Sequence, residues 1–309
     1  ELPNDWHEIV VVGGGAAGIG AAAGLLRAGA LDVLVIEPAD THYYQPLWTL
    51  VGAGVVPVSA SARPMGEVMP PLVRWCKSAV TEFHPADDAV VTADGRRIRY
   101  DWLIVAPGIQ IDWSRIDGLS EALGTPQVCS NYGAELAPRT WQALQAFDGG
   151  NAVFTFPPPP IKCAGAPQKI LYLAEHYYCA TPTIFSSPHY AAALMERVVG
   201  PRGIATHFRH ELVAVRARSR EAVFRDHDAQ RDVTVRYDLL HVAPPMSAPD
   251  FVKRSELANE AGWIDVDRET LRPVRYPNVF ALGDASSLPT SKTAAAIRAQ
   301  LPVLLDNLD

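Results

Sequence analysis

The chain has 309 residues, 48% of them hydrophobic and 20% charged, with a formal net charge of -7. This length exceeds what one compact core needs, so two domains are expected, and the composition is globular rather than disordered. The acidic balance speaks against a nucleic-acid partner, no apolar run is long enough to span a bilayer, and the N-terminus lacks the charged and apolar regions of a signal peptide.

Taken in chain order, residues 8–12 are a short apolar run, and Gly13, Gly14, Gly15, Ala16, Ala17 and Gly18 follow as a turn. Residues 21–28 are good helix formers, and residues 33–36 are a second apolar run that ends at Glu37. Strands that are apolar throughout suit a parallel sheet covered on both faces. Residues 43–56 are irregular. Residues 73–84 and 89–100 alternate around a turn at Asp94–Gly95 and read as antiparallel strands. Residues 102–106 are a further buried strand, closed by Pro107–Gly108. A second unit then offers a helix over 134–147, a strand over 152–156, four prolines at 157–160, and helices over 165–178 and 189–199. Strands are expected over 205–217, 221–224, 233–237, 239–243 and 278–282, with a last helix from about Thr293. The fold class is therefore α/β, with two Rossmann-like dinucleotide-binding domains and three-layer sheets. One is expected over 1–112 and 270–309, the other over 113–269.

The glycine turn has a mechanism. Gly13 permits the tight turn, Gly15 lets the backbone approach a pyrophosphate, and Gly18 lets helix and strand pack closely. The helix N-terminus offers free N–H groups to the phosphates. Glu37 stands where an acid binds unphosphorylated ribose hydroxyls, which points to FAD or NAD rather than NADP. Four cysteines are present, Cys76, Cys129, Cys163 and Cys179, in no Cys-x-x-Cys or zinc spacing. Cys76 and Cys129 read as structural. Cys163 precedes an expected helix N-terminus between Lys162 and Lys169, a setting that favours thiolate. A small apolar cysteine in a turn explains the same residues equally well. His42, His189 and His241 read as turn or core histidines, and Tyr44 and Trp48 as packing.

Residues 276–284, Tyr-Pro-Asn-Val-Phe-Ala-Leu-Gly-Asp, resemble the second flavin motif of flavoproteins with two dinucleotide-binding domains, in which the acid holds a ribityl hydroxyl; Asp284 matches it. Residues 102–108 resemble the middle motif of the same group, which places Ala106 and Gly108 at the cofactor. Relatives that use NADH carry a second glycine fingerprint after the strand at 152–156. Here Pro157 to Pro160 stand in its place, with no N–H to offer a phosphate. Pro244–Pro245 likewise replace a usual Gly-Arg. The resemblance implies FAD as cofactor and a reductant other than NADH.

Residues 162–169, Lys-Cys-Ala-Gly-Ala-Pro-Gln-Lys, resemble the active-cysteine loop of sulfide:quinone oxidoreductases of the mitochondrial and some bacterial kinds, as do the strings at 44–54, 241–246 and 288–296. That resemblance implies oxidation of sulfide, with electrons passing through FAD to a membrane quinone and sulfane sulfur leaving on a thiol, sulfite or growing polysulfide. It makes Cys163 the flavin-facing redox cysteine. It adds Gln45, Val80, Lys292 and Thr293 to the cofactor contacts, the last two by placing a helix N-terminus at the flavin pyrimidine. It implies a peripheral membrane protein of a bacterial plasma membrane or mitochondrial inner membrane. The family's second redox cysteine and amphipathic membrane helices are expected beyond Asp309, and the sequence looks short between Tyr178 and Cys179. A type II NADH:quinone oxidoreductase, a flavin subunit that passes sulfide electrons to a cytochrome, and a flavin-binding scaffold without turnover are the alternatives.

Overall fold

The computed structural model describes residues 5–170 and 176–308. Contacts divide the chain into two compact units. One holds Glu1–Tyr44, Ala62–Gln110 and Ser247–Asp309, the other Gln45–Ser61 and Ile111–Met246. This division differs from the boundaries expected from sequence at two places. Residues 45–61 leave the first unit because the short helix within them packs on a helix of the second, and residues 247–269 return early because their apolar side chains fill the first unit's core.

The first unit opens with β1 (Asp5–Val12), α1 (Ala16–Ala28) and β2 (Val33–Ile36). After the excursion that contains α2 (Trp48–Gly52), it continues with β3 (Arg74–Cys76), β4 (Val80–His84), β5 (Ala89–Thr92) and β6 (Arg97–Val105). The sheet runs β3-β2-β1-β6-β5-β4. The first three pairings are parallel, as in a dinucleotide-binding half, and the β6-β5-β4 arm is antiparallel. Because side chains alternate along a strand, β1 serves two cores. Ile9 and Val11 face Ala21, Ala22 and Leu25 of α1, while Val10 and Val12 face Phe83, Val90 and Ile98.

Two strands differ from the sequence expectation. Residues 73–84 break into β3 and β4, which join opposite parts of the sheet. Residues 97–105 are one strand rather than the ends of two: no Gly or Pro interrupts them, and β6 pairs antiparallel with β5 through Val90↔Ile98 and parallel with β1 through Val11↔Ile104.

The second unit contains β7 (Val128–Cys129), α3 (Ala137–Ala146), β8 (Ala152–Phe156), α4 (Ala166–Ile170), β9 (His176–Cys179), α5 (Pro188–Leu194) and β10 (Ala205–Phe208). A three-stranded antiparallel sheet of β11 (His210–Arg216), β12 (Glu221–Asp226) and β13 (Arg231–Arg236) follows, then β14 (Leu239–His241). The main sheet is entirely parallel in the order β7-β14-β8-β9-β10, the same winding as the first unit. The helix expected over 165–178 is corrected. Residues 166–170 are helical, residues 171–175 lie outside the described residues, and His176–Cys179 is a strand whose Tyr177, Tyr178 and Cys179 are buried. The strand expected over 205–217 breaks at Arg209, which takes φ 57°.

The chain then returns to the first unit. β15 (Val279–Ala281) pairs parallel with β6, and α6 (Ala294–Asp306) lies beside α1. Gly20 and Gly24 allow that approach. A Cβ on them would stand 2.8 Å from Leu301 Cδ1 and 2.9 Å from Leu305 Cδ1 respectively. Among the described residues no helix is long and apolar enough to cross a membrane.

Candidate dinucleotide and cysteine sites

In the first unit the glycine turn joins β1 to α1 in three residues, Gly13 to Gly15. Gly13 takes φ 102° and donates its N–H to the Ile36 carbonyl at 3.0 Å. A Cβ there would collide with the Ala106 carbonyl, and one on Gly18 would collide with the Gly13 carbonyl. These two glycines are thus forced by the protein itself. Gly15 differs: a Cβ on it would meet nothing within 4 Å. It is the N-cap of α1 and provides no side-chain cap, and the first N–H groups of a helix have no partner within it, which makes this turn the candidate phosphate site.

Glu37 follows β2 and is held by the same turn. Its two carboxylate oxygens accept the N–H of Gly14 and of Ala39, each at 2.7 Å. A carboxylate oxygen has lone pairs to spare after one such bond, so both remain able to accept a ribose hydroxyl. His42, read from sequence as a turn histidine, donates through Nδ1 to the Gly14 carbonyl at 3.0 Å and braces the turn from the other side.

The later motifs converge on this turn. Ala106, at the end of β6, donates to the Val12 carbonyl at 2.8 Å and puts its own carbonyl beside Gly13. Gly108 beyond it takes φ 80°. Gly283 takes φ 72°, and a Cβ on it would come 3.1 Å from the Ala17 methyl, so the last motif packs on the first turn of α1. Asp284 follows, half-buried between the buried Gly283 and Ala285.

Lys292 is buried. Its ammonium donates to the carbonyls of Asp284 at 2.7 Å and Ser286 at 3.0 Å, and it lies 4.1 Å from the centroid of the Trp263 ring. Burial lowers its pKa to about 8, against Asp284, which holds it up. Thr293 is the N-cap of α6, and its hydroxyl accepts the Ala296 N–H at 3.1 Å. Val80 is placed differently from these residues. Its side chain is buried in the core with Cys76 and Phe83, which leaves only its backbone to meet a ligand.

Gln45 belongs to the second unit, where its side-chain carbonyl accepts from the Lys162 ammonium. Lys162 also stands 5.4 Å from the Trp48 ring centroid, and its backbone N–H donates to Met246 Sδ at 3.1 Å. The loop that carries Cys163 is therefore pinned through its preceding residue. Cys163 itself takes φ 54°, a region that non-glycine residues occupy rarely. Its carbonyl accepts the Ala166 N–H at 2.8 Å, and its side chain is partly exposed. The other three cysteines are buried. Burial pushes the Cys129 thiol up to about 12 and raises those of Cys179 and Cys76, so none is a ready thiolate.

The connection from β8 to α4 takes nine residues, Pro157 to Gly165, where the first unit takes three. The connection is the loop that carries Cys163 and not a three-residue glycine turn. Sequence reasoning missed Tyr132, three residues beyond β7. It is buried, its hydroxyl has no hydrogen-bond partner among the described residues, and a charge on Cys163 is felt by its phenol. A two-residue strand shows no periodicity, so nothing in the sequence set this tyrosine apart.

A dinucleotide cradle in one doubly wound unit, a second unit of the same winding and three motifs in order define an FAD-binding oxidoreductase of the two-domain class. Consistently, the family described as "Pyridine nucleotide-disulphide oxidoreductase" matches residues 7–139. The chain is 46% identical over 314 residues to the mitochondrial sulfide:quinone oxidoreductase of Mus musculus, which covers 96% of this chain and 70% of that protein. It is 41% identical to the mitochondrial enzyme of the same name from Dictyostelium discoideum, with 97% and 70% covered. The sulfide:quinone oxidoreductase of Aquifex aeolicus shares the fold at a TM-score of 0.79 and 18% identity, with 97% of this chain and 78% of that one covered. The chain belongs to the sulfide:quinone oxidoreductase family.

Proposed function

We propose that this chain oxidises hydrogen sulfide to sulfane sulfur at Cys163 and delivers the electrons through FAD to a membrane quinone. The observation that carries this reading is the β8–α4 connection, where a positive-φ cysteine on a pinned loop occupies the place of a nicotinamide cradle. The relatives' names supply sulfide and quinone as the substrates of those proteins.

FAD supplies a two-electron acceptor when bound. The residues of the chain have distinct tasks. Gly13, Gly14, Gly15, Ala16, Ala17 and Gly18 hold the pyrophosphate against the α1 N-terminus, and Glu37 takes the adenosine ribose. Asp284 takes the ribityl chain, with Ala106, Gly108 and the Val80 backbone lining the site. Lys292 and the α6 N-terminus at Thr293 face the pyrimidine edge with positive charge. Gln45 steers Lys162. Cys163 is the nucleophile, because a thiolate on an accessible loop attacks sulfur far better than a buried thiol does. Overall, one Cys163 thiolate and one hydrosulfide give a persulfide anion, one proton and two electrons, and the two electrons reduce the quinone. The sulfane sulfur then passes to a thiol, sulfite or polysulfide acceptor. The protein acts at a membrane surface without crossing it, at a mitochondrial inner membrane or a bacterial plasma membrane.

The test is sulfide-dependent reduction of a short-chain ubiquinone by the full-length protein, followed at the quinone absorbance. The reading expects activity that falls at least 100-fold in Cys163→Ser with flavin content retained, a loss on the scale of removing a nucleophile. Undiminished activity in Cys163→Ser removes Cys163 from the reaction.

A further inference from the structure

We propose that the joint between the parallel and the antiparallel sheet of the second unit is a pH-sensitive clasp, closed while the imidazoles of His176, His207 and His210 are neutral and loosened when protonation crowds positive charge into them. β9 and β10 belong to the parallel sheet, β11 and β12 to the antiparallel one, and β10 passes into β11 through Arg209 alone. The joint is a stack of rings. Phe224 of β12 lies on Tyr178 of β9 with centroids 4.0 Å apart, and His207 of β10 lies on the same tyrosine at 4.2 Å, within 8° of parallel. His210, the first residue of β11, stands edge-on to both Tyr178 and His207 at 6.0 Å. Tyr178 and Phe224 are part of the unit's buried core, so the stack holds one sheet against the other.

His176 Nδ1 and His207 Nε2 face each other at 3.4 Å, with ring centroids 5.7 Å apart. That gap holds one proton, donated by one ring and accepted by the other. With both rings charged, each facing nitrogen carries a proton and the two N–H groups point at one another. His210 donates through Nδ1 to the Phe208 carbonyl at 2.8 Å, so its neutral ring keeps a lone pair on Nε2, 3.7 Å from Asp226 Oδ2. The N–H groups of Ala229 and Asp228 hold the Asp226 carboxyl below the usual carboxylate range, which keeps it ionised. Asp226 therefore offsets one positive charge, on His210. Tyr178, raised by burial, stays neutral and offsets nothing. His227, at the far end of β12, is taken up by Glu211 at 3.0 Å. A charge on His207 would stand beside both His176 and His210, and burial first, then these neighbours, lowers its pKa below the ordinary 6.5. The opened or unfolded chain thus binds this proton more readily than the closed joint does. The clasp holds above pH 6.5 and weakens as pH falls below it.

The experiment is hydrogen–deuterium exchange of the full-length flavoprotein, read peptide by peptide by mass spectrometry at about pH 7.5 and about pH 5, with the intrinsic exchange rate at each pH divided out. Three proteins are compared: wild type, His207→Phe, which keeps a ring on Tyr178 without a titrating nitrogen, and His176→Gln, which keeps a hydrogen-bonding side chain without a charge. In wild type, the protection of residues 205–216 falls on acidification by about tenfold more than that of β1 in the first unit, the effect of one pKa unit on one proton. In both variants this excess shrinks to less than about threefold, because one of the facing charges is gone. All three proteins retain His241, so its pH dependence is common to them and does not imitate the difference. Equal falls in the three proteins, or no excess fall in wild type, overturn the proposal. Should His207→Phe fail to fold, His176→Gln decides alone.

Discussion

Gly15 and Gly18 lie three positions apart and differ in what a methyl group on each would meet. On Gly18 it collides with the backbone of Gly13, so Gly18→Ala is expected to disrupt the turn and yield protein with little or no flavin. On Gly15 it enters open space. Gly15→Ala is expected to fold with a wild-type circular dichroism spectrum while binding FAD at least tenfold more weakly, because the methyl occupies the place of a phosphate. Flavin absorbance per mole of folded protein separates the two outcomes, and equal flavin content in Gly15→Ala and wild type would show that the cradle is misassigned. Both glycines were legible in the sequence because their task is backbone geometry, and backbone geometry is written in glycine spacing. Tyr132 was not legible, because its burial with an unpartnered hydroxyl comes from packing and not from any local pattern.

At the scale of elements, the strands show what pattern can and cannot reveal. Apolar runs such as residues 33–36 and 152–156 identified buried parallel strands directly. Their partners did not follow from pattern: β6 reads as two strands, yet β1 pairs parallel with it from Ile98 to Val105 while the antiparallel β5 pairs only with Arg97 to Arg99. Residues 176–178 read as the end of a helix because three aromatic residues show no period, and only pairing to β8 and β10 makes His176–Cys179 a strand.

His241 in β14 gives this sheet a measurable pH dependence. It is fully buried against Phe154, with ring centroids 5.5 Å apart, and burial lowers its pKa to about 4. The unfolded chain binds the proton near pH 6.5 and the folded chain does not, so stability is present above that pH and is lost as pH falls towards 4. Between pH 6.5 and 5 the loss amounts to about 2 kcal/mol. In chemical denaturation, wild type is expected to lose this much and His241→Phe to lose correspondingly less; equal losses in both would mean that His241 carries no charge penalty.

For the molecule as a whole, two units of one winding have taken different roles. The first retains a three-residue glycine turn with an acid behind it, and the second has a nine-residue cysteine loop where that turn would be. Only one unit is then expected to respond to a dinucleotide. Added to flavin-depleted protein, FAD at one hundred times its Kd should stabilise the fold by about 2.7 kcal/mol through mass action. Millimolar NADH added to the flavin-loaded protein should leave the thermal unfolding temperature unchanged, and a clear NADH-dependent rise would reveal a nicotinamide site in the second unit. The similarity to relatives runs through nearly the whole chain, so the family is read on more than its glycine turn and cysteine loop.

The central claim is that sulfide reduces the flavin through Cys163. The most direct measurement is anaerobic titration of the full-length flavoprotein with sulfide, recorded across the visible spectrum, for wild type and Cys163→Ser. The account predicts bleaching of the flavin band in wild type with a long-wavelength charge-transfer band, and loss of both in the variant, while NADH bleaches neither protein. A flavin that sulfide leaves oxidised and NADH reduces would contradict the account and assign the protein to NADH oxidation instead.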